Sequence, residues 1–193
     1  MNRKTNFHRK TNETDIRGQL NLAGKGVSEV QTGIGFLDHM LDLWAFHSGF
    51  DLTLSCQGDL HVCAHHSIED IAIVLGNSFF EALGDRKGIA RYATVFLPMD
   101  ETLTRTVIDI SGRPCHIFHG DFGTEEIGSF PVEMTQHFFN SFATSAKLTL
   151  HQEIVYGSND HHRVESLFKG FGKALAQAIT VTTDKIPSSK GVL

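Results

Sequence analysis

The chain has 193 residues, a formal net charge of −5, twelve histidines, fifteen phenylalanines and three cysteines. That length buries a sizeable core, as one domain or as two small halves sharing one. A negative balance without a long basic run argues against general nucleic-acid binding. Cys56, Cys63 and Cys115 fit neither a disulfide ladder nor C-x-x-C zinc spacing. With no apolar signal segment in M-N-R-K-T-N-F-H-R-K and no run of membrane-spanning length, the expectation is a cytoplasmic protein.

In chain order, residues 13–22 alternate Ile16, Leu20 and Leu22 on one face and predict a strand, turning at 23–26. A short strand follows at about 27–32. Gly33 and Gly35 break it, and 36–47 reads as a helix with Leu37, Met40, Leu41 and Trp44 at helical spacing, closed by Gly49. Residues 50–56 alternate as a half-buried strand. A helix then opens in the run His61–Asp70 and continues to about Leu83, with Ile68, Ile71, Ala72, Leu75, Phe79 and Leu83 as its apolar stripe.

The second half repeats this order. Strands are expected at 92–97 and 103–111, the latter setting Leu103, Arg105, Val107 and Asp109 against Thr104, Thr106, Ile108 and Ile110. After a turn at 112–114, residues 115–119 run back. Pro131 suits the first turn of a helix over about 132–146. A strand at 148–156, a turn with a capping residue at 157–160 and a helix from His161 to about Thr180 complete the half. The C-terminal I-P-S-S-K-G-V-L has no periodicity, and such a tail frays unless it docks.

The chemistry concentrates in two runs, H-V-C-A-H-H-S-I-E-D at 61–70 and N-D-H-H-R-V-E at 159–165, each an adjacent histidine pair with a glutamate three residues after the second. One doublet is a weak motif; two with the same offset point to metal. His65 and His66 both sit one turn from Glu69, yet adjacent residues diverge by about 100° around a helix. They could therefore serve two metals with the glutamate between. His39 precedes its doublet by twenty-six residues and His137 precedes the other by twenty-four, so the whole arrangement reads as an internal duplication. Two antiparallel sheets, each with helices on one face, would pack as an α+β fold.

The candidate ligands are His39, His65, His66, Glu69, His137, His161, His162 and Glu165. Eight nitrogen and oxygen donors without thiolates exceed one tetrahedral zinc and suit two higher-coordinate ions such as Mn²⁺. Diverging doublets make ligands from different subunits plausible, which would couple assembly to metal binding. His8, His61, His116, His119 and His151 lack a matching carboxylate and read as surface or satisfied side chains; His47 could line the pocket of His39 or merely cap. Arg91, Arg113, Lys169 and Lys190 are scattered cations that clamp a phosphate only if the fold gathers them. Glu13 reads as a solvated edge residue and Asp100-Glu101 as turn polarity. Residues alone leave open a binuclear hydrolase of phosphate esters, or a metal-linked shell without chemistry.

The runs 33–41 (G-I-G-F-L-D-H-M-L), 65–70, 111–114 (S-G-R-P), 137–139 (H-F-F), 161–165 and 187–192 (P-S-S-K-G-V), in this order, resemble imidazoleglycerol-phosphate dehydratases of histidine biosynthesis. The resemblance implies a duplicated α+β fold of the ribosomal protein S5 domain 2-like type. It implies a single dehydratase domain over 1–193, with pseudo-repeats at about 1–88 and 89–184 and a functional tail at 185–193. It implies trimers assembled into a 24-subunit homo-oligomer with intersubunit active sites, and two Mn²⁺ ions on the eight donors. The substrate contacts it implies are Glu13, His47, Arg91, Arg113, Lys169, Ser189 and Lys190, with the arginines, lysine and tail on the phosphate. The reaction removes water from D-erythro-imidazole glycerol phosphate through a metal-bound imidazolate and a diazafulvene-like intermediate, giving imidazole acetol phosphate. Glu165 and Glu13 would move the protons. Two departures stand out: Cys63-Ala64 replace acidic residues found in many relatives, putting a carboxylate that orients a ligand histidine in doubt, and Leu43 replaces a glutamine. The length leaves no room for the phosphatase domain fused to some relatives, so dehydration alone is expected.

Overall fold

In the computed structural model, residues 3–191 and 193 are described; Val192 of the tail motif lies outside them. The first half contains β1 (Lys4–Lys10), β2 (Thr14–Asn21), β3 (Ser28–Gln31), α1 (Gly35–Ser48), β4 (Asp51–Gly58) and α2 (His65–Leu83). The second contains β5 (Tyr92–Met99), β6 (Thr102–Asp109), β7 (Cys115–His119), a two-residue pair β8 (Glu126–Ile127) and β9 (Phe130–Pro131), α3 (Met134–Ser145), β10 (Thr149–Tyr156) and α4 (Asp160–Ala178). The sheets are ordered β1-β2-β4-β3 and β5-β6-β10-β7, the same topology twice.

Each sheet is mixed rather than antiparallel. β3 pairs parallel with β4, and β7 with β10, because each of these connections crosses over through a helix and returns in the same direction. α1 and α2 cover one sheet, α3 and α4 the other, and the two helical layers pack on each other as α1 on α4 and α2 on α3. The duplicated α+β fold stands.

The apolar stripe predicted for α2 is buried along its length, and so are Val164, Leu167, Phe168, Phe171 and Leu175 of α4. Where the helical layers meet, most of the phenylalanines form one core: Phe142 lies 4.9 Å from Phe171, 5.9 Å from Phe79 and 6.1 Å from Trp44 between ring centroids. Two glycines let the helices approach. A Cβ at Gly76 would stand 2.6 Å from the Phe142 carbonyl oxygen, and one at Gly172 2.8 Å from that of Trp44. Both pairs occupy equivalent repeat positions, and they fix α2 beside α3 and α1 beside α4 in parallel, so that the histidine-bearing ends of each pair meet.

One local expectation, for Pro131, is corrected, and the structure supplies two features that the sequence left open. The stretch before residue 13 is a strand, β1, paired along its length with β2. Pro131 belongs to the β8–β9 pair, and α3 opens three residues later at Met134. β6 turns its threonines inward: Thr102, Thr104 and Thr106 are buried while Leu103 and Val107 are only partly so. The start of the tail does not fray, since Gly88 N–H donates to the Lys185 carbonyl (2.9 Å) and Arg91 Nη1 to that of Pro187 (2.8 Å).

Candidate metal centres

The parallel helix pairs bring six of the eight candidate ligands into two clusters, His39–His161–Glu165 from α1 and α4, and His65–Glu69–His137 from α2 and α3. The first turn of α1 is pinned by Asp38, which accepts from the Thr32 amide (2.8 Å) and hydroxyl (2.5 Å). Asn159 caps α4 by accepting the His162 amide at 3.3 Å. Each cluster crosses the repeats: His39 of the first half joins a doublet histidine of the second, and His137 the reverse.

Glu165 Oε2 lies 3.0 Å from His161 Nε2 and 3.5 Å from His39 Nε2. In the other cluster Glu69 lies 3.8 Å from His65 Nε2 and 3.1 Å from His137 Nε2. Adjacent donors around an octahedral ion at about 2.1 Å stand about 3 Å apart, so both clusters fit a first-row divalent ion. His137 Nε2 is shut off from solvent and, among the described residues, makes no hydrogen bond despite its neighbouring carboxylate, as expected of a lone pair aimed at a cation.

Burial alone would raise the Glu165 carboxyl pKa. The hydrogen bond and charge of Lys169, with His161 and the charge of His39, outweigh it and hold the group below the usual range. His47, two turns beyond His39, is pushed down by burial and then by the charges of Lys169 and Lys173.

His66 and His162 leave these clusters, correcting the expectation that both doublet members share one glutamate. His66 Nδ1 lies 3.0 Å from Asp59 Oδ2, and His162 Nδ1 lies 2.7 Å from Glu101 Oε2. Each carboxylate hydrogen bond raises its histidine's pKa and leaves Nε2 facing outward, 3.8 Å from Glu13 Oε1 or Asp100 Oδ2 respectively. This is the carboxylate–histidine pairing that orients metal-ligating imidazoles. Asp59 therefore stands where Cys63-Ala64 left a carboxylate in doubt. Glu101, read as mere turn polarity, also accepts the Ser158 and Asn159 amides. The signal for it was the repeat itself: Glu13 and Glu101 each precede the second strand of their half.

The other candidates lie elsewhere. Arg91 grips Asp109 with two nitrogens (2.7 and 3.3 Å) while holding the tail at Pro187. It does so from a left-handed backbone (φ 73°) unusual for a side-chain-bearing residue. Arg113 reaches the same Asp109 at 3.9 Å. Ser189 and Lys190 are exposed on the tail. Lys169, in contrast, sits with Glu165 and lies 4.0 Å from the Met99 sulfur. Arg91 immediately precedes β5 and Met99 ends it, about 26 Å away along the strand, so one chain does not bring the arginine–tail group to Lys169. Leu43 packs against the core, and His116 is satisfied by Gln152 Oε1 at 3.3 Å.

A family model described as imidazoleglycerol-phosphate dehydratase matches residues 32–175. The protein of that name from Clostridium botulinum (strain Alaska E43 / Type E3) is 52% identical over 194 residues, covering 100% of both chains. Another from Rhodopseudomonas palustris (strain TIE-1) is 52% identical, covering 99% of this chain and 98% of its own length. The crystal structure of imidazoleglycerol-phosphate dehydratase from Staphylococcus aureus subsp. aureus N315 superposes with a TM-score of 0.85 at 40% identity, covering 93% of this chain and 99% of that one. The Pyrococcus furiosus structure, in complex with (S)-C348, gives 0.84 at 34% identity over 97% and 100%. With its duplicated fold and paired histidine–glutamate clusters, the chain belongs to the imidazoleglycerol-phosphate dehydratase family, hydro-lyases of histidine biosynthesis.

Proposed function

We propose that this chain converts D-erythro-imidazole glycerol phosphate to imidazole acetol phosphate using two Mn²⁺ ions per active site, in a cytoplasmic homo-oligomer, a 24-mer built from trimers, whose sites lie between copies. The observation that carries this reading is the pair of histidine–glutamate clusters beside two carboxylate-oriented histidines whose Nε2 atoms belong to neither cluster among the described residues. His39, His161 and Glu165 hold one ion, and His65, Glu69 and His137 the other. His66 and His162 complete the spheres of neighbouring copies. Eight nitrogen and oxygen donors without thiolates exceed tetrahedral zinc and accommodate two higher-coordinate ions such as Mn²⁺, although the affinity order alone favours other first-row metals.

When bound, two cations stabilise the substrate's imidazole ring as its anion, the Lewis-acid and template roles of a metal. Around that ring the chain's own residues bind, orient and move protons. Arg91, Arg113, Ser189 and Lys190 from one copy, with Lys169 from another, take the phosphate. The distance along β5 supports that division, and the tail 185–193 becomes part of the site. Burial, then the charges of Lys169 and Lys173, hold the His47 pKa below its ordinary value.

In the dehydration the hydroxyl on the ring-adjacent carbon would leave as water, taking its proton from a protonated carboxyl group of the site, through a diazafulvene-like stage. A proton then leaves the next carbon to give an enol, which becomes the ketone. Glu165, held ionised by Lys169, and Glu13, beside the outward face of His66, are the carboxylates placed to carry those protons. Glu165→Gln removes the base, and with it a charged ligand of one ion, while keeping the side chain's shape. It is expected to abolish turnover and leave the circular dichroism spectrum unchanged; turnover near the parent's level would remove Glu165 from the mechanism.

A further inference from the structure

The largest departure from the duplication lies between the third strand and the first helix of each half. In the first half three residues, Thr32–Ile34, lead from β3 into α1; in the second, a fourteen-residue excursion (120–133) carrying β8 and β9 lies between β7 and α3. Its near end is clasped by a pair at the start of α4. Asp160, 6% exposed, accepts the Gly123 amide (2.7 Å), the Thr124 amide (2.7 Å) and the Thr124 hydroxyl (2.9 Å) through Oδ2, and pairs with Arg163 through Oδ1 (2.7 Å). Arg163 also donates to the Asp121 carbonyl (3.2 Å) and to that of Gly157 (2.5 Å). The far end returns to the same spot, where Phe130 packs on Phe36 (5.4 Å) and Phe36 sits edge-on to His161 (5.1 Å). His161 is thus held between a clasp one residue before it and an aromatic wedge.

The equivalent positions in the first half are Ala64 and Ser67, which cannot form such a clasp, and nothing is there to be held. The two clusters differ accordingly: the Glu165 side chain is 7% exposed and tied to Lys169, whereas Glu69 is 36% exposed.

We propose that Asp160 and Arg163 are positioning residues that use the 120–133 excursion to fix His161, making the α1–α4 cluster the tighter of two inequivalent metal centres, so that the ions load in order. The physical reason is preorganisation: a ligand whose backbone and ring are already fixed loses less freedom on binding, and loss of such supporting contacts typically costs 10–100-fold in metal affinity. The inference rests on the two-metal reading above.

The test is a Mn²⁺ titration of the intact assembly, with free ion read by electron paramagnetic resonance. The parent protein is expected to show two affinity classes. Asp160→Asn keeps the shape, loses the charge and one acceptor, and should weaken the tight class by 10–100-fold with the weak class unmoved. A merely structural role would lower thermal stability without singling out one class. Thr124→Val, which removes only the hydroxyl donor, should move the same class several-fold and serves if Asp160→Asn does not fold. A single affinity class in the parent, or both classes shifting together, overturns the inference while the two-metal reading stands. Absence of Mn²⁺ binding by the parent overturns both.

Discussion

Asp59 shows how a second side chain decides what a ligand can do. Its hydrogen bond to His66 Nδ1 fixes the ring and raises its basicity, leaving Nε2 as the donor. Asp59→Asn should therefore weaken Mn²⁺ binding by 10–100-fold in an equilibrium titration; an unchanged affinity would make the pairing incidental. His116 is a contrasting case, since it lies outside both clusters. Burial pushes its pKa from 6.5 down to about 4, against a weaker opposing hydrogen bond from Gln152. Its folded pKa lies below its unfolded value, so the unfolded chain binds the extra proton first. Stability is thus unaffected above pH 6.5, falls as pH drops from there toward 4, and levels off below. The loss is on the order of 2–3 kcal/mol, the low end allowing for the ring's partial solvent contact. His116→Gln should show a flatter stability–pH curve across that window by denaturant titration; parallel curves would assign the loss to other groups.

At the scale of elements, the close approach of parallel helices sets both candidate metal centres. Gly172→Ala places a methyl group 2.8 Å from the Trp44 carbonyl, and backbone cannot yield there as a side-chain tip can. A destabilisation of about 1–3 kcal/mol is expected, together with weaker metal binding at the α1–α4 cluster. A neutral effect in thermal melts would mean that α1 and α4 slide without cost. These elements were largely legible in the sequence, because apolar stripes at helical spacing and capping glycines such as Gly49 are local signals. β1 was not: its lysines, asparagine and histidine alternate with only Thr5, Phe7 and Arg9, and pairing with β2 supplies what its own pattern lacks. In β6 the periodicity gave two candidate faces. The buried one is the threonine face, because Gly170 of α4 comes close to Thr106, a tertiary fact outside the strand. Pro131 was misplaced for a related reason, as a residue suited to a helix start is equally suited to an edge strand.

For the whole molecule, the two clusters were foreshadowed by spacing, but their membership was not. Spacing within one helix cannot say that His39 joins His161 rather than His65; the helix pairing across repeats decides that. Nor could it separate Asp59 and Glu101 from ordinary loop acids. The same cross-repeat geometry leaves His66 and His162 outside the clusters of their own chain, which is why the active site proposed above draws on more than one copy. The most direct test is the formation of imidazole acetol phosphate from imidazole glycerol phosphate by the purified protein, followed before chelation, after it, and after return of Mn²⁺. The account predicts product with metal, loss of activity on chelation and recovery on Mn²⁺ addition. Activity that survives complete removal of metal, or no product with both ions demonstrably bound, would contradict it.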